Sequence, residues 1–188
     1  MKRNAEQILS EYLVISCQLG EKDAFDRLIT LWYPKLMRYA RYTLRDETRA
    51  QDAVQHSMEA LCKSIKKLDD PQAFPKWIYR ILHFKCADLI SQHQKQRVVI
   101  DALTQENTVE DQPYNKIDET PPLDELDAAL SALPAKLYKV VHLYYLEGFS
   151  VKEIAELINV REGTVKSRMY EARQMLKRHV EKNDDATN

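Results

Sequence analysis

The stretch Phe149 to Arg173, FSVKEIAELINVREGTVKSRMYEAR, leaves this chain little structural choice. Ser150 and Glu153 form an S-x-x-E capping box, the pattern that starts a helix by satisfying its first backbone donors. Ile154, Ala155 and Ile158 give that helix an apolar face, with the small alanine where a second helix must cross closely. Asn159 follows, a residue type that tolerates the left-handed backbone of a helix stop. Val160 plugs the turn. Gly163-Thr164 then opens a second helix whose apolar stripe is Val165, Met169, Ala172 and Leu176, in steps of four, three and four. Those steps are helical spacing. A second stripe with the same steps runs beside it: Lys166, Tyr170, Arg173 and Lys177. A basic flank alone is only a solvated surface. Here the small residue, the turn residue and two apolar plugs all fall in register for packing two helices at a steep angle. A helix buried on one face and basic on the next is what a major-groove reader requires. The segment predicts a DNA-binding helix-turn-helix.

Glycine is scarce: Gly20, Gly148 and Gly163 are the three in 188 residues, and each sits at a predicted helix boundary. With 44% apolar content and abundant Leu, Ala, Lys, Glu and Arg, this favours an all-α protein of one or two domains. No run approaches the ~18–20 apolar residues of a membrane span. The charged start MKRNAEQ is not followed by a signal-peptide core. The expectation is a cytoplasmic chain with no membrane insertion of its own. Cys17, Cys62 and Cys86 are odd in number and widely spaced, which reads as reduced thiols. His83 and Cys86 have metal-ligand spacing, but no second pair of ligands accompanies them, so helix packing is the reading and no metal is expected. Asp69-Asp70 before Pro71 reads as a helix cap. Neither it nor the five histidines form a triad or accompany a phosphate loop, so neither catalysis nor a cofactor is expected.

A net charge of −1 hides an uneven distribution. Residues 1–97 carry 17 Lys and Arg against 12 Asp and Glu; residues 98–122 carry 1 against 6. Residues 123–188 carry 10 against 11, yet 161–182 within them carry 7 against 3. The chain reads as a basic domain at 1–97, an acidic connector at 98–122, a small domain at 123–180 and a polar tail at 181–188. Pro113, Pro121 and Pro122 and the lack of a sustained period make the connector an extended or mobile linker.

Three or four helices are expected in the first domain. Asp23 to Arg45 places Phe25, Leu28, Ile29, Trp32, Leu36 and Tyr39 inward, with Pro34 kinking or dividing it. Glu47 to Ile65 buries Ala50, Val54, Leu61 and Ile65, and a loop follows at Lys66 to Pro71. Pro71 or Pro75 suits the first turn of a third helix, whose core face is Phe74, Trp77, Ile78, Ile81, Leu82, Leu89 and Ile90. In the second domain, Leu123 to Leu133 and Ala135 to Glu147, separated by Pro134, precede the helix-turn-helix.

These residues resemble a family. Leu133-Pro134, Glu153-Ile154-Ala155, Gly163 through Arg168 and Ala172-Arg173 look like region 4 of the bacterial sigma factors, with the closest likeness to the extracytoplasmic-function branch. Gly20, Ala24-Phe25, Ala50 through Gln55, Phe74, Trp77 through Ile81 and Asp88 resemble region 2. The resemblance covers roughly residues 20 to 180.

It implies a non-enzymatic protein that binds core RNA polymerase and directs it to promoter DNA, under the control of an anti-sigma factor. Region 4 would read the −35 element as duplex through Thr164, Lys166, Ser167, Arg168, Tyr170, Arg173 and Lys177. Region 2 would hold the polymerase clamp with the face around Asp52, Gln55 and Met58. Lys67, Lys76 and Arg80 would meet the −10 element as a splayed single strand. Trp77 and Tyr79 are candidates to stack its bases, although Trp77 also lies on the apolar stripe. The acidic connector, through Asp101, Glu106, Glu110, Asp111, Asp118 and Glu119, would mimic nucleic acid in the RNA channel.

The chain departs from the family at named places. Phe84 stands where Asn is frequent, Gln51 where Glu is usual, and Glu171 where Arg commonly precedes Ala172-Arg173. Ser91-Gln92-His93-Gln94 replaces a run of arginines. Fewer cations release fewer counterions, which weakens DNA binding and its salt dependence. Two other functions fit the residues alone. One is an operator-binding regulator that never joins polymerase, although nothing reads as the dimerisation coil such proteins use. The other is a sigma-like interaction module with weak promoter activity.

Overall fold

The computed structural model describes residues 5–104 and 125–186, all helix and turn. The order is α1 (Ala5–Leu19), α2 (Ala24–Leu44), α3 (Glu47–Ser64), single 3-10 turns at Ile65–Lys67 and Pro71–Ala73, and α4 (Phe74–Thr104). Then come α5 (Glu125–Ser131), α6 (Ala135–Val141) extended by a π-helical turn at His142–Leu146, α7 (Val151–Leu157) and α8 (Glu162–Ala186). No helix among the described residues is long and apolar enough to cross a membrane.

The described chain divides into two compact units. The first holds α1, α2 to Ala40, and Thr48 through α4; the second holds Arg41–Glu47 and α5 through α8. In the first unit, Trp32 stands at the centre. Its ring meets Phe74 edge-on at 5.3 Å and Tyr79 at 6.1 Å, and Tyr79 in turn meets Tyr39 at 5.4 Å. Edge-to-face pairs suit the ring quadrupole and add to the gain from burying large apolar surface. Leu13, Val14, Leu28, Leu36, Val54, Leu61, Ile78 and Leu82 fill the space around them. The sequence reading named no helix ahead of Asp23. Yet α1 is integral: Ser10 accepts the Trp32 indole N–H at 3.0 Å, and Gln18 donates to the carbonyls of Ile65 at 2.9 Å and Leu68 at 2.7 Å. Glu6 of the same helix pairs with Lys35. The opposite face of α1 leaves Ile8, Tyr12, Ile15 and Leu19 exposed.

One expectation is narrowed and one needs correction. Pro34 does not divide α2, which runs unbroken from Ala24 to Leu44. Residues 98–104 are helical, not the start of an extended linker, because α4 continues to Thr104. No Pro or Gly occurs in that part of the sequence, and adding residues to an existing helix avoids the cost of a new nucleus. The rest of the expected linker, 105–122, lies outside the described residues.

In the second unit the core is Leu130, Leu133, Leu137, Tyr138, Val141 and Ala172 with Tyr42, and Met175 and Leu176 pack against it. Arg45, at φ +54°, donates to the carbonyls of Ser131 at 2.6 Å and of Leu133. Carbonyls at a helix end have no partner within the helix, so a guanidinium there supplies the missing donors. Gly148, at φ +73°, makes the reversal out of the π-helical turn, a backbone that glycine adopts without a Cβ penalty. The expected polar tail begins as helix, since α8 continues to Ala186.

Candidate nucleic-acid and polymerase interface

α7 begins where Ser150 caps it. The Ser150 hydroxyl accepts the Glu153 N–H at 3.3 Å, while the Glu153 carboxylate accepts the Ser150 N–H at 2.9 Å. After Leu157 the chain turns through Asn159 at φ +54°, and the Val160 N–H donates to Ala155 at 3.0 Å. α8 starts with Thr164 and Val165 donating back to the Arg161 carbonyl. Ile154, Ala155, Leu157 and Ile158 of α7 are buried, as are Val165, Met169 and Ala172 of α8.

That packing leaves Lys166, Ser167, Tyr170, Arg173 and Lys177 exposed, while Thr164 and Arg168 are half-buried. Tyr170 is 66% exposed, a large aromatic ring held out beside two cations. The Ser167 hydroxyl is turned onto its own helix, donating to the Thr164 carbonyl at 3.0 Å. Arg173 has a partner that the sequence reading missed. Its Nε–H donates to the Tyr145 hydroxyl at 2.9 Å, and the guanidinium lies 6.0 Å from the Tyr145 ring centre. The sequence signal is the Tyr144-Tyr145 pair, an aromatic doublet at the end of its helix.

In the first unit, Asp52 and Gln55 are exposed on α3, with Gln55 Nε2 3.5 Å from the Glu59 carboxylate. Met58 is not beside them on the surface: it is buried. Its spacing explains this, since Ala50, Val54, Met58 and Leu61 follow helical steps along one inward face. The exposed face around Asp52 and Gln55 instead includes His56, Glu59 and Lys63.

Lys67 is exposed on the 3-10 turn after α3, Lys76 is half-buried, and Arg80 is exposed on α4. The Arg80 guanidinium lies 5.9 Å from the ring centre of Phe84, itself 49% exposed. Tyr79 cannot stack a base, because it is fully buried between Trp32 and Tyr39. Trp77 is half-buried against Phe74 at 6.0 Å. Asp70 caps the second 3-10 turn, accepting the Gln72 N–H at 2.9 Å. The His83 ring lies 3.3 Å from the Tyr39 hydroxyl, whose pKa is pushed well up by burial and then by Cys86. Among the described residues no cluster of His, Cys, Asp and Glu has the makings of a metal site.

Residues 28–96 match sigma-70 region 2, and residues 123–176 match sigma-70 region 4. The chain is 29% identical to the ECF RNA polymerase sigma-E factor of Haemophilus influenzae, over 94% of this chain and 98% of that one. It is 27% identical to the RNA polymerase sigma factor SigV of Bacillus subtilis, covering 92% and 93%. It is 30% identical to the ECF RNA polymerase sigma factor SigM of Mycobacterium tuberculosis, covering 85% and 78%. Among solved structures, its fold is similar to the sigma factor RpoE of Bartonella quintana, crystallised with the anti-sigma factor NepR. That match has a TM-score of 0.64 at 21% identity and covers 85% of this chain and 98% of that one. With both regions present in order and relatives matched over most of their length, the chain belongs to the ECF RNA polymerase sigma factors, non-catalytic subunits that bind core polymerase and direct it to promoters.

Proposed function

We propose that α7 and α8 act as a helix-turn-helix that lays α8 in the major groove of the −35 element. One observation carries this reading: Val165, Met169 and Ala172 are buried, while Lys166, Tyr170, Arg173 and Lys177 are exposed beside them. Cations there track phosphates, and a side chain that reaches base edges selects sequence. Thr164, Ser167 and Arg168 flank the same turn of helix. On the first unit, Lys67, Lys76 and Arg80 meet the −10 single strand, and Asp52 and Gln55 face the polymerase clamp. The acidic segment after α4 joins the region 2 and region 4 domains and imitates nucleic acid in the RNA channel. An anti-sigma factor holds the chain inactive, a reading supported by the family and by a chain of this fold solved with such a partner.

The experiment is site-specific crosslinking within holoenzyme bound to promoter DNA. A photoreactive residue at position 170 should crosslink to duplex around −35, and one at position 80 to the non-template strand around −10. Crosslinks from position 170 that go only to polymerase subunits would refute the assignment of α8.

A further inference from the structure

Arg173 and Tyr145 are 28 residues apart and come from different helical elements, yet they meet at the surface through a hydrogen bond and a ring contact. Tyr145 lies in the π-helical turn His142–Leu146. A π turn inserts one residue into a helix and re-aims the side chains that follow, which is why such turns recur at functional sites. What stabilises this one is buried. The Tyr138 hydroxyl and His142 Nδ1 are 2.9 Å apart, and His142 Nε2 lies 3.5 Å from the Glu147 carboxylate. The Glu147 N–H closes the turn onto the His142 carbonyl at 3.2 Å. His142 is thus pinned inward, and Tyr145, 52% exposed, is turned outward with the half-buried Tyr144 ring edge-on against it at 4.9 Å.

Tyr145 engages the Nε–H of Arg173. That leaves the four donors on the two terminal nitrogens, the fork that contacts guanine or phosphate in a bidentate manner. An arginine on an exposed helix must otherwise give up its rotamer freedom when it binds DNA. One already tethered has less to lose. We propose that Tyr145 is a positioning residue for duplex recognition: it sets the Arg173 guanidinium in advance, so that the −35 preference of this sigma factor depends on a tyrosine outside the recognition helix. The inference rests on Arg173 being a DNA contact, and its test separates the two.

The test uses holoenzyme assembled from the full chain and core polymerase, with a pool of short duplexes randomised in the centre. The best-bound duplex then serves for affinity measurements. Tyr145→Phe keeps the ring and removes the hydroxyl. It should weaken binding about three- to tenfold, the cost of ordering one long side chain only on binding, and relax base preference at one position. Association with core polymerase should not change. Arg173→Ala should weaken binding more, and Tyr145→Phe should then add nothing. In a Lys166→Ala background Tyr145→Phe should keep its full effect. If Arg173→Ala weakens binding while Tyr145→Phe does nothing, or has its full effect without Arg173, the positioning role is overturned and the contact stands. If Arg173→Ala leaves binding and base preference intact, the contact is refuted and the positioning role falls with it.

Discussion

Gln18→Ala tests how the first helix supports the basic turn after α3. The Gln18 amide spans two carbonyls, Ile65 and Leu68, at 2.9 and 2.7 Å, reaching 47 and 50 residues along the chain. These carbonyls bracket the 3-10 turn that carries Lys66 and Lys67. A net hydrogen bond is worth about 0.5–1.5 kcal/mol, so two give about 1–3 kcal/mol. The site is only part-buried, and water can replace some of the loss, which favours the lower half of that range, about 1–2 kcal/mol. With a urea slope of about 2 kcal/mol/M, the unfolding midpoint of the first unit should drop by roughly 0.5–1 M. The Leu68 amide, bonded to the Ile65 carbonyl at 3.2 Å, should exchange faster with solvent deuterium. Single-stranded −10 DNA should bind holoenzyme less tightly, while duplex −35 DNA should not notice. An unchanged urea midpoint with unchanged Leu68 exchange would mean that α1 merely touches the turn and does not hold it.

Ser150→Ala removes the cap of α7 and should cost about 1 kcal/mol, read as a lower melting temperature, with Ser150→Asn restoring most of it. Lys177→Ala should flatten the dependence of log affinity on log salt for −35 duplex by about 0.9 if the lysine neutralises one phosphate; an unaltered slope would make it a bystander. The thiols should react in a set order with a soluble disulfide reagent: Cys62, exposed, first, and Cys17 and Cys86, buried, only on unfolding. Burial raises the pKa of both Cys62 and Cys17, so the thiolate forms late and the rate should still be climbing with pH beyond the ordinary thiol range. A second fast thiol in the folded chain would contradict the packing of α1 and α4.

Much of this protein is settled by short-range sequence signals. Ser150 with Glu153, Asn159 after Ile158, Asp70 before Pro71 and the stripe from Val165 to Leu176 each act within a turn or two of helix. The physics that makes them work is therefore present in a window of ten residues. Together with the motifs of regions 2 and 4 they make the family and its role readable without coordinates. What needed the tertiary structure is of another kind. α1 was not named in advance because apolar residues lie on both its faces, with Leu13 and Val14 inward and Ile8, Tyr12, Ile15 and Leu19 outward. Periodicity cannot mark a boundary there. The family resemblance puts Met58 on a binding face and makes Tyr79 a stacking candidate, yet the packed partners of each helix put both in the core. The π-helical turn has no capping or turn residue to mark it: Tyr138, His142 and Glu147 are neighbours in the sequence, but their contacts form in a site that only the packing of the second unit buries. Gln18 on the Ile65–Leu68 turn and Tyr145 on Arg173 are contacts between elements far apart in sequence, and a residue pattern holds no record of what packing brings within 3 Å.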